Sequence, residues 1–414
     1  MRRTSTPTVN DLGAANALEA LDVIRVLGPI SRASLARRSQ FKPAALTKLI
    51  RYLIRDGLVI ETEKTRPLST GGRPGRLLQI NKSAKPLLSI DIEPDHLRVA
   101  LVDLGGAVLN SRQVNYDRHQ SPEATLELIR SVTESMGIGP DDIVRVGVSC
   151  AGLIDEKKGI LIGSTNLPKW KDVPIRAWLK EMFKVPVNIG RSIHLAAWAE
   201  HWFRADQAPK KMLVVTLRTG IGFSLIDNGV VYRGCNQFDG ELGHTLIDIN
   251  GPLCECGRRG CLETFISPAS ITQRIRKLLA EGRAKSLAPL LDAGLEVDPE
   301  LIYRMVREGD PDCTEIVTDL VRYLGIGIGN LINLLNPDQV VLCGAIEIVD
   351  ESFLSQLREE ICQHTLPHSW EHLEVRLAKY AERSALMGAA ARATQNYIDT
   401  IIKKPGRNTS HSEV

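Results

Sequence analysis

The feature that most limits what this chain can fold into is a cluster of cysteines. The stretch GHTLIDINGPLCECGRRGCLE, residues 243–263, puts Cys254, Cys256 and Cys261 within eight positions, and His244 lies ten residues before the first of them. Cys254 and Cys256 stand too close for an easy mutual disulfide but suit one metal ion. The glycines of GRRG allow a tight turn that brings Cys261 back to the pair. The other five cysteines (Cys150, Cys235, Cys313, Cys343 and Cys362) are scattered singly through apolar or mixed segments and read as free buried thiols. A disulfide framework is not expected.

At 414 residues the chain is too long for one core, and two or three domains are expected. The composition, 43% apolar and 24% charged, is globular. No apolar run approaches the roughly 20 residues of a membrane span. The opening MRRTSTPTVNDLG has no apolar signal core. The expectation is a cytoplasmic chain without membrane insertion. Its net charge of +3 conceals an asymmetry: residues 1–80 carry fourteen Lys/Arg against six Asp/Glu, a local +8, which leaves −5 for the rest. A small basic module on a mildly acidic body is the layout of a nucleic-acid binder with a separate sensing or catalytic part.

Within the basic module, Leu18, Leu21, Ile24 and Val26–Leu27 form a helical stripe that stops at Gly28-Pro29. Ser31 is placed to cap a second helix, and Pro43 sits in the first turn of a third. There Leu46, Leu49, Ile50 and Leu53 share one apolar face, opposite Thr47, Lys48, Arg51 and Arg55. Two tightly joined helices with cations on the second predict a helix-turn-helix whose last helix enters the major groove. The strands DGLVIETEK and GRLLQIN around STGGRPG predict a wing, with Arg73 and Arg76 positioned for a minor groove or phosphates.

Beyond NKSAKP the texture becomes mixed. LLSIDI and LRVALVDLGGAVL read as strands, SPEATLELIRSVTESMG as an amphipathic helix and DIVRVGVSC as a buried strand. KMLVVTLRTGIGFSLIDNGVVYRG reads as a hairpin, and VRYLGIGIGNLINLLNPDQVVLCG as a helix running into a buried strand. The prediction is an α/β body in two lobes. Its expected boundaries are a head at 1–82, a first lobe at 83–200, a second lobe at 201–402 carrying dimerisation helices, and a disordered tail at 403–414.

The motifs LRTGIGFSLIDNG, GELGH, CECGRRGCLETF, NLLNPDQVVLCG and SALMGAA together resemble the ROK family of repressors, open reading frames and kinases, over roughly residues 15–395. The head and the STGGR wing are similar to the repressor branch. The resemblance implies an actin-like, sugar-kinase-like body. It supplies His244 as fourth ligand to one structural zinc held with Cys254, Cys256 and Cys261. It also implies that Glu241, His244 and Glu263 grip a sugar.

Two departures from the family kinases matter. Where those enzymes have a glycine turn for phosphates, this chain reads DIEPDHLR, with Asp91 kept but Glu93 and Pro94 replacing glycines. Pro94 offers no N–H and Glu93 repels phosphate. The second phosphate turn keeps Thr219, Gly220 and Gly222 but then has Phe223. Where family kinases carry an Asn-Asp pair whose Asp is the base, this chain has Arg191 and Ser192, and a serine without a base does not do that work. Catalysis is therefore not expected. The swap removes a negative charge and adds a cation, so the expected effector is an anionic sugar, a sugar phosphate or a sugar acid, paired by Arg191; the competing readings are that Arg191 points away and is structural, or that the site binds no sugar.

These readings converge on a sugar-responsive transcription regulator, a repressor, acting on a palindromic operator in double-stranded DNA as a homodimer or homotetramer. The competing classes are an ATP-dependent sugar kinase with a regulatory arm, and a regulator titrated by a transporter subunit.

Overall fold

A computed structural model describes residues 9–39, 41–64, 76–203, 209–218, 220–235, 237–288, 299–344 and 351–402. Arg73, Thr219 and the tail at 403–414 lie outside the described residues. The chain divides into two compact units. One comprises residues 1–190, 201–208 and 386–414; the other comprises 191–200 and 209–385.

The first unit opens with the head: α1 (Val9–Leu27), β1 (Ile30–Ser31), α2 (Arg32–Arg38), α3 (Pro43–Arg55), β2 (Val59–Lys64) and β3 (Arg76–Ile80), the strands in the order β1-β3-β2. The sequence signals act as read. At the end of α1 a Cβ on Gly28 would meet the Ile24 carbonyl oxygen at 2.4 Å, so only glycine fits there. Ser31 caps α2 by accepting from the Ser34 N–H at 3.1 Å. Pro43 opens α3, whose Leu46, Ile50 and Leu53 are buried.

The head does not keep its core to itself. Leu21, Ile24, Leu46, Ile50 and Leu78 belong to one buried cluster with Leu87, Leu104, Ala393, Ile398 and Ile402. The boundary expected near residue 82 is therefore a change of texture but not a break in packing. The C-terminal helix Ser384–Ile402 completes that cluster with Ala393, Ile398 and Ile402.

The body of this unit is a five-stranded sheet in the order β11-β7-β4-β5-β6, built from β4 (Leu87–Ile92), β5 (His96–Val102), β6 (Val108–Asn115), β7 (Val146–Cys150) and β11 (Val187–Arg191). The strands β4, β5 and β6 form an antiparallel meander, and β4 pairs in parallel with β7. A small antiparallel sheet of β8 (Leu153–Asp155), β9 (Ile160–Gly163) and β10 (Lys171–Val173) lies between them in sequence. Two helices, α4 (Pro122–Ser135) and α5 (Ile175–Phe183), pack into the same core as this sheet.

The C-terminal helix lies on this sheet. Ser89 donates to the Leu386 carbonyl at 2.6 Å, and a Cβ on Gly147 would stand 2.2 Å from the Ala389 carbonyl oxygen. The expectation that the second lobe runs to residue 402 is thus corrected: residues 386–402 return to the first unit, because Gly147 lets their backbone approach.

The second unit begins with most of α6 (Ser192–Trp202). It contains β12 (Lys211–Leu217), β13 (Ile221–Asp227), β14 (Val230–Val231), β15 (Gln339–Gly344) and β16 (Glu374–Leu377), in the order β14-β13-β12-β15-β16. The predicted β12–β13 hairpin and the helix-to-strand passage into β15 are both present. The long helix Pro311–Leu335 is capped by Asp310, which accepts from the Cys313 N–H at 2.9 Å. Gly327 on this helix leaves room for Leu262: a Cβ there would be 2.6 Å from Leu262 Cδ2. Leu262 follows Cys261, so this contact seats the cysteine loop on the core. No helix among the described residues is long and apolar enough to cross a membrane.

Candidate DNA-reading face, metal centre and effector site

On α3 the buried stripe leaves Thr47, Lys48, Arg51 and Arg55 exposed, as their spacing predicts. Arg55 stands 5.1 Å from the Tyr52 ring centroid and pairs with Asp56 at 3.1 Å. Arg37 and Arg38 at the end of α2 are exposed as well and extend the cationic surface, which the sequence reading passed over. In the wing, Arg76 is exposed and reaches Glu61 at 3.0 Å, while Glu61 also takes Arg32 at 2.6 Å. Of the six predicted DNA-contacting residues, Thr47, Lys48, Arg51 and Arg55 share one face, Arg76 sits on the wing strand, and Arg73 falls outside the described residues.

The cysteine loop closes as its glycines allow. Leu246 pairs with Cys261 and Leu253 with Arg259 in isolated antiparallel bridges, and the Cys254 N–H donates to the Arg258 carbonyl at 2.7 Å. Gly260, with φ +70°, tolerates no side chain: a Cβ would fall 1.6 Å from the Asp248 carbonyl oxygen. The ligating atoms of His244, Cys254, Cys256 and Cys261 all lie within 4.8 Å of one another. His244 Nδ1 is 3.6 Å from Cys254 Sγ, and Cys256 Sγ is 3.6 Å from Cys261 Sγ. A tetrahedral zinc with bonds of about 2.3 Å separates its sulfurs by about 3.8 Å, so the donor set fits. Arg258, by backbone and side-chain hydrogen bonds, brings Cys256 down to about 6. Burial, with Cys256 and Cys254 adjoining, pushes the Cys261 thiol up to about 12. Three thiolates this close would repel one another, a repulsion that a bound dication would relieve.

The candidate effector residues flank that loop. Glu241 and His244 bracket a single 3-10 turn, Leu242–His244, and Glu263 opens the short helix Glu263–Ile266. The Glu263 carboxylate lies over Gly243, where a Cβ would stand 2.8 Å from Oε2. Burial raises its pKa, against a hydrogen bond from the Ile221 backbone; the neighbouring acids Glu255 and Glu241 add to the rise. Glu241 is half-exposed.

Arg191 is committed to its own chain. Its guanidinium donates to the carbonyls of Gln237 and Asp239 at 2.7 and 2.8 Å and to Glu241 Oε1 at 2.7 Å, and its side chain is only 8% exposed. The expectation of a free cation awaiting an anionic ligand is corrected on this geometry. Ser192, half-buried, begins α6.

Two residues along α6 stands His194, which the sequence reading missed. It is 1% exposed, with Nε2 at 2.8 Å from Asp239 Oδ2 and Nδ1 at 3.2 Å from Arg233. A guanidinium only donates, so Nδ1 accepts and the Nε2–H donates to Asp239: a neutral histidine in a fixed tautomer. Burial holds its pKa below the usual value, and Arg233 and Arg191 act in the same direction. The available signal was a polar ring inside the apolar run SIHLAAWA.

At the turn where the family kinases hold phosphate, β4 and β5 are joined tightly. The Glu93 N–H donates to the His96 carbonyl at 3.0 Å, a cross-strand bond that leaves Pro94 and Asp95 as the short link of the hairpin. Asp91 and Glu93 are buried. Burial first, and then these two acids, raise the Cys150 thiol well above its usual value.

The ROK family model matches residues 87–396. The chain belongs to the ROK family. It is similar to the xylose repressor of Caldicellulosiruptor bescii, at 29% identity over 87% of this chain and 91% of that protein. It is 30% identical to the DNA-binding transcriptional dual regulator NagC of Escherichia coli K12, over 94% of each. Among solved structures, a ROK family transcriptional regulator, a homologue of the E. coli Mlc protein, matches with a TM-score of 0.78 at 26% identity, over 94% of this chain and 98% of that one. Matches this long take in the head, which the ROK model, beginning at residue 87, leaves out.

Proposed function

We propose that this ROK protein is a DNA-binding transcription regulator, a repressor of carbohydrate uptake or catabolism genes, that responds to a sugar. The observation that carries the reading is the exposed Thr47–Lys48–Arg51–Arg55 face of α3, opposite a stripe buried in a core shared with the ROK body. Arg51, Arg55 and Lys48 meet base edges and phosphates, Thr47 adds a hydroxyl, and Arg73 and Arg76 of the wing follow the adjoining groove. A homodimer or homotetramer sets two such faces on a palindromic operator.

In this reading one zinc per chain, held by His244, Cys254, Cys256 and Cys261, is structural. Four protein ligands leave it no open position, and it ties the turn carrying Glu241 to the helix opening at Glu263. Glu241 and Glu263 accept hydroxyls of the effector, beside His244 and Ser192. Phosphoryl transfer is disfavoured by the Glu93–Pro94 hairpin and by Ser192 at the position of the base. The site of action is the cytoplasm, where DNA and reduced thiols coexist.

The test is selection of genomic fragments by the purified protein at near-physiological salt, repeated with xylose, N-acetylglucosamine and their phosphates. A shared palindrome released by one of these supports the reading. Weak binding without sequence preference, lost steeply with salt, overturns it and points to a protein partner such as a transporter subunit.

A further inference from the structure

We infer that Arg191 is a positioning residue of the effector site and that the effector it selects is an uncharged sugar. The inference rests on reading Glu241 and Glu263 as effector ligands.

Three hydrogen bonds from Arg191 to Gln237, Asp239 and Glu241 clamp the segment 237–241 onto the start of α6. The clamp is double, because His194, three residues along the helix, holds the Asp239 side chain. Asp239 in turn accepts the Gly234 N–H at 3.0 Å, which closes the loop on itself. At the end of this segment Gly240, with φ +89°, passes so close to β13 that a Cβ would meet the Phe223 carbonyl oxygen at 2.2 Å. Glu241 therefore leaves a backbone pinned on both sides, and its carboxylate is aimed by Arg191.

The clamp also decides charge. A phosphate needs a cation with unspent N–H groups. Arg191 is buried and already neutralised by Glu241, and Arg233 faces His194. Beside it stand the carboxylates of Glu241 and Glu263, which accept hydroxyl protons and repel phosphate. Freeing Arg191 for an anion would leave Glu241 without its counter-charge next to that anion. The replacement of the kinase pair by Arg191 and Ser192 thus removes the base and keeps a hydroxyl-accepting wall.

The experiment is calorimetric titration of the full-length protein with D-xylose, D-glucose and N-acetylglucosamine, and with glucose 6-phosphate and N-acetylglucosamine 6-phosphate. The expected result is that one uncharged sugar binds and the esters bind at least tenfold more weakly. Arg191→Met should weaken that sugar at least tenfold without weakening an ester selectively. Glu241→Gln, which strips Arg191 of its counter-charge, should shift the sugar-to-ester ratio toward the ester even if Arg191→Met fails to fold. An ester binding within tenfold of the best sugar, or an unchanged ratio in Glu241→Gln, overturns the inference alone. Binding of no sugar and no ester overturns it together with the sugar-effector reading.

Discussion

Individual side chains in this protein are held by partners that a local reading of the chain does not reveal, and two of them carry tests. The thiol of Cys261 is buried against His244 and Cys256. Cys261→Ser removes a soft ligand from a closed site; the metal content of the purified protein is expected to fall from one zinc per chain toward none. Loss of a structural metal belongs to the severe class of substitutions, on the order of 4 kcal/mol. A variant that keeps full zinc and an unchanged denaturation midpoint would remove the metal from the account.

His194 carries the second test at this scale. Its folded pKa lies below its unfolded one, so the unfolded chain takes up the proton first as pH falls. The contribution of neutral His194 is complete above about pH 6.5 and is lost progressively below it. For Asp239, burial alone would raise the pKa, but hydrogen bonds from His194 and Gly234 outweigh it and bring the carboxyl to about 2. Its contribution is present above about pH 4 and is lost as pH falls toward 2. Urea midpoints at pH 8 and pH 5 should differ more for the native chain than for His194→Asn. Equal differences would show that His194 does not couple protonation to folding.

At the scale of an element, α3 is the piece whose two faces do different work. Its apolar stripe was legible because a period of 3.6 residues separates Leu46, Ile50 and Leu53 from the cations, and the packed structure has them on opposite sides. Arg51→Ala should leave the thermal midpoint within about 2 °C while weakening operator binding by about 1–3 kcal/mol if Arg51 reads a base. If Arg51 meets only phosphate, binding should weaken evenly across sequences, with the salt slope reduced by about 1. Fluorescence anisotropy over a salt series on operator and random DNA separates the two, and no effect on either would remove α3 from the interface.

Within the first unit, the head is held by a contact that no motif announced. Arg25 at the end of α1 donates to the Trp202 carbonyl at the end of α6, stacks 3.8 Å above the Trp202 ring and pairs with Asp22 at 3.2 Å. Burial holds the Arg25 pKa below its usual value. Arg25→Met keeps the aliphatic volume but loses the hydrogen bond and the cation–π contact, an expected cost of about 1–3 kcal/mol in denaturant unfolding. Hydrogen exchange should then rise first in α1; protection unchanged there would show that the head is held by its apolar core alone.

Sequence alone determined whatever depends on neighbours a few residues apart. The cap at Ser31, the first-turn Pro43, the stripe of α3, the β12–β13 hairpin, the glycine turn that returns Cys261 and the short Pro94 link all follow from local sterics and periodicity. Family motifs added His244 to the metal set and Glu241 and Glu263 to the effector set, pairings across distances that spacing does not encode. Only the tertiary structure decided that the head shares a core with the C-terminal helix, that this helix returns to the first unit, and that Arg191 is spent on Glu241. Each of these rests on contacts tens to hundreds of residues apart in the chain. Charge in particular is settled there: a lone arginine in a sequence reads as an available cation, and burial beside a carboxylate makes it a fixed internal strut.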